Sequence, residues 1–207
     1  MRPPIPAHKR RTPPGFIAPC LACPADRVPK CPLWIHQPKH DGFRMICRRE
    51  GPQARLWSRN ALNWTQRLPR IAGGLLELPC RSCVLDGEAV VQLPDGRDDF
   101  HALRSAAGAR NAMLMAFDLL ELDGRDLRAL PLEERRAELR RLVEAGPVDG
   151  VAFVDAIDED GEALFRHACR LGLEGIISKR RDSPYRSGRS QAWLKSKCAG
   201  YVRHGEQ

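Results

Sequence analysis

The amino-acid sequence predicts an α+β domain. Two observations carry that class. Apolar runs of strand length are separated by turn signals and pair up as hairpins, and helical segments fall between them without the regular βαβ alternation of a parallel sheet. A third is size: 207 residues suit one domain with a substantial core and short tails.

Residues 1–15 hold five prolines and no apolar periodicity, the composition of a flexible basic tail. The domain proper is expected over residues 16–200, with 201–207 as a C-terminal tail. From Phe16 to about Pro32 the chain stays rich in proline and cysteine and reads as an extended entry segment. Residues 43–49 (FRMICRR) and 54–58 (ARLWS) flank the turn-like EGPQ as a β-hairpin. In ALNWTQRLPRI, the spacing of Trp64, Leu68 and Ile71 predicts a short amphipathic helix. VLDGEAVVQLPDGRDDF reads as a strand, a tight PDG turn and a return; NAMLMAFDLLELDG reads as a buried strand ending in a turn. PLEERRAELRRLVEA places proline and acids at its start and arginines toward its end, the charge order that suits a helix dipole. A second helix, GEALFRHACRLG, stops at Gly172; the strand-like EGIISKR follows, and SQAWLKSK closes the ordered region.

A net charge of +8 and a pI near 9.3 favour an anionic partner such as nucleic acid, against the plainer alternative of a merely soluble basic surface. No apolar h-region opens the chain, and no stretch approaches the roughly 20 apolar residues of a membrane span. A cytoplasmic protein with no membrane partner is expected. Eight cysteines include two C-x-x-C pairs, Cys20 with Cys23 and Cys80 with Cys83, yet neither has a partner at zinc-finger spacing. Reduced, buried or loop thiols are the expectation, with zinc as the alternative.

Six of the 34 basic residues are lysines: Lys9, Lys30, Lys39, Lys179, Lys195 and Lys197. Arginine is the default cation here. Because an arginine is a poor nucleophile whereas a lysine amine can lose its proton and attack an electrophile, each retained lysine is a candidate for chemistry. Four of them lie in KHDGFR, EGIISK and WLKSK. Crowding Lys39 with Lys195 and Lys197 would lower its proton affinity and neutralise charge on a phosphate. Asp41-Gly42 reads as the turn presenting Lys39, and Asp123-Gly124 as a plain turn.

The ordered series KHDGFR, SRN, LDGEAVV, FDLLELDG, EGIISK and WLKSK resembles the adenylation domain of ATP-dependent DNA ligases, in particular the bacterial end-joining type, over about residues 16–198. That resemblance implies a nucleotidyltransferase fold of antiparallel β-sheets flanked by helices. It implies that Lys39 attacks the α-phosphate of ATP and carries AMP to a DNA 5′-phosphate for strand joining in repair or recombination. By the same match Gln37, Pro38, Arg44, Arg59, Glu88, Phe117, Lys179, Lys195 and Lys197 bind the nucleotide, with Phe117 stacking on adenine. Glu88 and Glu174 serve the ribose and a metal, Mg²⁺ or Mn²⁺. The implied partner is nicked or broken duplex DNA, and the implied place of action the bacterial nucleoid. The loop RRDSPYRSGRS carries Arg180, Arg181, Arg186 and Arg189 and suits phosphate contacts or simple solvation equally.

The sequence departs from the family in three places. Gln37 stands where glutamate is usual and can offer a carbonyl to adenine or an amine to guanine, so base choice stays open. Ala61 replaces a glycine common after SRN. Ten residues follow Lys197, too few for the OB-fold domain that completes these ligases, so the expectation is a domain excised from or encoded apart from its OB partner, with a separate OB-fold or end-joining protein as partner, or else a minimal homologue with impaired self-adenylation. An RNA ligase, a capping guanylyltransferase or a non-catalytic DNA-binding homologue are the alternatives.

Overall fold

The structure, a computed structural model, describes residues 12–146, 148–157 and 160–202. Most of the two expected tails, residues 1–11 and 203–207, lies outside the described residues. Two β-sheets form the frame. The smaller contains β1 (Cys20–Pro24), β2 (Trp34–Pro38), β9 (Gly175–Arg180) and β10 (Gly188–Lys197) in the order β1-β10-β9-β2. The larger contains β3 (Phe43–Glu50), β4 (Gln53–Ser58), β5 (Ser82–Val90), β6 (Met113–Leu122) and the two-residue β7 (Arg125–Asp126) in the order β4-β3-β5-β6-β7. A short β8 (Val151–Phe153) pairs with β6. Pairing is antiparallel except for β1 with β10 and β8 with β6, so the predicted class holds with two parallel additions.

Apolar burial explains the layers. One core lies on the face of the larger sheet that carries Met45, Cys47, Leu56 and Leu85, covered by the helices α1 (Pro69–Glu77), α2 (Phe100–Arg104), α3 (Ala106–Asn111) and α4 (Leu132–Glu144). The other face packs against the smaller sheet through Ile46, Trp57, Val84, Phe117, Leu120, Tyr185 and Trp193. A fifth helix, α5 (Gly161–Arg170), packs on β9 and β2. Its first turn is capped by Asp160, which accepts from the amides of Glu162 and Ala163 at 3.0 and 3.1 Å. It ends before Gly172 at φ +73°, as predicted. Among the described residues no helix is long and apolar enough to cross a membrane.

Local departures have local causes. Trp64 to Arg67 are turns and not helix, because α1 starts at Pro69, whose ring would clash with the carbonyl four residues back. Thr65 instead ties that segment to β4, accepting from the Leu56 amide at 3.0 Å. The return after PDG is a single bridge, Gln92 with Asp98, since Asp99 turns the chain into α2 by accepting from Ala102 N at 2.8 Å. The RRDSPYRSGRS loop is in part a structural strap: Tyr185 is buried and donates to Asp86 Oδ2 at 2.6 Å. Two residues assigned to tails are engaged, Gly15 against the Arg48 side chain and Tyr201 through a hydroxyl donated to Asp41 Oδ2 at 2.9 Å. Cys169 and Cys198 are joined in a disulfide where reduced thiols were expected. No group of three or more metal-ligating side chains forms around Cys20–Cys23 or Cys80–Cys83, or elsewhere among the described residues.

Candidate active site

Between the two sheets lies a cleft of about 350 Å³, and β2 ends at its floor. Lys39 follows β2 directly, and its amide donates to Gly175 O at 2.9 Å, so pairing with β9 fixes the backbone that presents the amine. Two glycines make this possible. At Gly175, φ is +147° and a β-carbon would stand 2.1 Å from Ser196 O. At Gly42 a β-carbon would meet Ala89 O, also at 2.1 Å. Asp41-Gly42 is accordingly a bend tucked against β5, with the Asp41 amide donating to Asp98 Oδ2 at 2.9 Å.

Gln37, Pro38, Lys39, Arg44, Arg59, Glu88, Phe117, Lys179 and Lys195 all line this one cleft. Glu174 and Lys197 stand at its edge in a chain of charges: Lys39 Nζ pairs with Glu174 Oε2, and Lys197 Nζ with Oε1 at 2.7 Å. Lys197 was expected to crowd Lys39 with like charge. Instead Glu174 stands between the two ammonium groups and offsets both. Burial alone would raise the Glu174 pKa, but Lys39 and Lys197 together hold it below the ordinary carboxylate value.

Arg44 is held more tightly than its sequence context showed. Its Nε donates to Asp86 Oδ1 at 2.5 Å and its Nη2 to Oδ2 at 2.7 Å and to Cys20 O at 3.1 Å. Asp86, fully buried, was not singled out from the sequence, and its only advance signal was its place two residues before Glu88 on the same strand. Alternation along a strand sends both side chains to one face. The Phe117 ring is 8% exposed, with the Arg44 guanidinium 4.4 Å and the Lys179 amine 3.9 Å from its centroid. A base stacking there must displace or share the ring with these cations. Burial, with Arg136 nearby, pushes the Lys179 amine well below its ordinary pKa; its amine also sits 4.0 Å from the Trp193 ring.

The two carboxylates assigned together to a metal separate in the structure. Both Glu174 oxygens are taken by lysines. Glu88 faces the cleft with no hydrogen bond from any described residue, and burial raises its pKa to about 7 against the pull of Arg44 and Lys39. A desolvated carboxylate without a protein partner is the donor that a hard divalent cation completes, with water and phosphate oxygens filling its shell.

Sequence reasoning missed part of the wall: Leu21, Ala22 and Pro24 from β1, Val154, and Trp193. Nothing in a short proline-rich segment announces that β1 will lie parallel to β10 and close the cleft.

A family model described as ATP dependent DNA ligase domain matches residues 19–197. The chain is 43% identical over 188 residues to the multifunctional non-homologous end joining protein LigD of Pseudomonas aeruginosa, covering 89% of this chain and 22% of that protein. It is 36% identical over 187 residues to a probable DNA ligase of Streptomyces coelicolor, covering 84% of this chain and 36% of the relative. Among solved structures, the ligase domain of M. tuberculosis LigD superposes with a TM-score of 0.74 at 33% identity, over 87% of this chain and 60% of that one. A mycobacterial DNA ligase D complexed with ATP and MES gives 0.73 at 32% identity, over the same 87% and 60%. The chain thus spans well under half the length of the curated relatives it matches.

Proposed function

Because the chain belongs to the ATP-dependent DNA ligase domain family, we propose that its cleft binds ATP and that Lys39 forms a covalent lysyl-AMP for transfer to a DNA 5′-phosphate. The observation that carries this reading is Lys39 Nζ, one-fifth exposed at the floor of the cleft and hydrogen-bonded to Glu174 while facing Lys195 and Glu88 across the same space. The Lys39 amine attacks the α-phosphorus. An N–P bond forms, the P–O bond to the β-phosphate breaks, pyrophosphate leaves, and one Nζ proton is lost. Glu174 Oε2 already accepts a hydrogen bond from Nζ and stabilises the ammonium, which releases a first proton to solvent to give the attacking amine; the proton lost as the N–P bond forms is a second one. Lys195, Lys197 and Arg59 supply positive charge toward the phosphates. Lys179 and Phe117 line the base end. Glu88 would hold Mg²⁺ or Mn²⁺, which when bound screens the charge of the triphosphate.

Transfer to nicked or broken duplex DNA, sealing by the adjacent 3′-hydroxyl, action at the nucleoid and cooperation with an OB-fold or end-joining protein belong to the same proposal. The formal charge of +8 supports the DNA partner by favouring phosphate contact. Intact mass after incubation with ATP and Mg²⁺ tests the first step. One covalent AMP is expected on the wild type and none on Lys39→Arg, which keeps the charge but not the nucleophile. An adduct that survives Lys39→Arg, or no adduct on folded wild type, overturns the assignment.

A further inference from the structure

Arg136 sits on α4, outside the motifs that define the cleft, and its side chain reaches the base end from behind. It is 7% exposed. Its Nη2 donates to Val154 O at 2.8 Å and its Nη1 to Phe117 O at 3.3 Å. These carbonyls stand where the β6–β8 ladder runs out: Leu114, Met115 and Ala116 pair with Val151, Ala152 and Phe153, and the last ladder bond is Val154 N to Ala116 O at 2.8 Å. Beyond it the strands part, and buried carbonyls left there need donors. A guanidinium supplies two from one plane, which an ammonium cannot match.

The Val154 carbonyl has a second duty. Gln37 Nε2 donates to it at 3.0 Å and stands 3.5 Å from Asp155 O. The backbone of the same segment is bridged to β2, with His36 N and Ile157 N each donating to the other's carbonyl at 2.8 Å. With both lone pairs of Val154 O engaged, the Gln37 amide is fixed amine-inward, and its Oε1 meets no donor from any described residue. Gln37, Val154 and Phe117 all line the cleft.

We infer that Arg136 is a positioning residue for purine selection, holding the Phe117 strand and the Val154 carbonyl in one grip so that Gln37 presents only its carbonyl oxygen to the base. This rests on the nucleotide-binding reading above. The 6-amino group of adenine donates to that oxygen, whereas guanine, with a carbonyl at the same C6 position, meets acceptor against acceptor there. The choice between adenine and guanine that Gln37 leaves open in the sequence is thereby made from α4.

The test is equilibrium binding of ATP and GTP by calorimetry in a Lys39→Ala background, which removes the covalent step. Arg136→Lys keeps the charge and loses the fork. We expect about tenfold weaker ATP binding, a preference for ATP over GTP reduced by about the same factor, and a cooperative unfolding transition retained at a melting temperature lower by about 5 °C. Gln37→Leu should abolish the preference. The double variant should be no worse than the poorer single, since both act on one carbonyl. Strictly additive effects, or an unchanged ATP:GTP ratio in Arg136→Lys, overturn the inference. Should Arg136→Lys fail to fold, a preference retained by Gln37→Leu overturns it alone. No binding of either nucleotide by the Lys39→Ala protein or the wild type would instead strike the proposed function itself.

Discussion

At one end of the cleft Lys39 and Lys197 share the two oxygens of one carboxylate, Glu174. Near the other, Arg44 grips buried Asp86 with two nitrogens, and Arg136 forks onto two backbone carbonyls. The difference follows from the cations. A lysine is a single titratable point charge on a flexible stem and can give up both its ion pair and its proton. An arginine keeps its charge and spreads its donors in a plane, so it fixes geometry. On the proposed reading, lysine stands where a bond is to form and arginine where nothing is to move.

The sharpest way to break this comparison is at the fixed end. Asp86→Asn leaves the Arg44 guanidinium, 19% exposed, without its countercharge. Loss of one partner of a buried pair costs about 3–5 kcal/mol, and urea unfolding should show it. A loss below about 1 kcal/mol would mean that Arg44 is free to serve the nucleotide instead.

A second prediction concerns Glu88, which lines the cleft between these ends. Its folded pKa of about 7 exceeds the ordinary value near 4.5, so the folded state holds this proton more tightly than the unfolded chain does. The stability that proton contributes is fully present below pH 4.5 and is lost as the pH rises through 7. Glu88→Gln removes the titration. Discounted for solvent in the cleft, the variant should gain about 2 kcal/mol on the wild type between pH 4.5 and 8, measured by denaturant unfolding at each pH. Parallel pH profiles would return Glu88 to an ordinary carboxyl.

The smallest effect sits beside Arg59. Ala61 holds φ at +60°, in the region that favours glycine. Ala61→Gly should stabilise the protein by about 1 kcal/mol by relieving that strain, readable as a rise in melting temperature. No change would show that the SRN loop relaxes at no cost.

Some of the molecule was legible because its signals are local. The hairpin of β3 and β4 is written in two apolar runs around EGPQ, and α4 in the order of its charges. Lys39 stood out because lysine is scarce, and the motif spacing gathered nearly all the assigned residues into one cleft. The helix expected from Trp64 failed for an equally local reason, since Pro69 was read for its neighbours' periodicity and not for the start it imposes.

The sequence by itself thus determined most of the strand and helix segments and the motif series from which Lys39 is proposed as the nucleophile, all of which depend on residue type and short spacing. Only the tertiary structure decided that β1 closes the cleft against β10, that Cys169 meets Cys198, that Glu174 stands between two lysines while Glu88 faces the cleft without a protein donor, and that Arg136 fixes the amide of Gln37. These pairings join residues far apart in the chain, and each is chosen by which buried donor lies within reach of which acceptor once the sheets have packed, a choice that leaves no mark on the neighbouring residues.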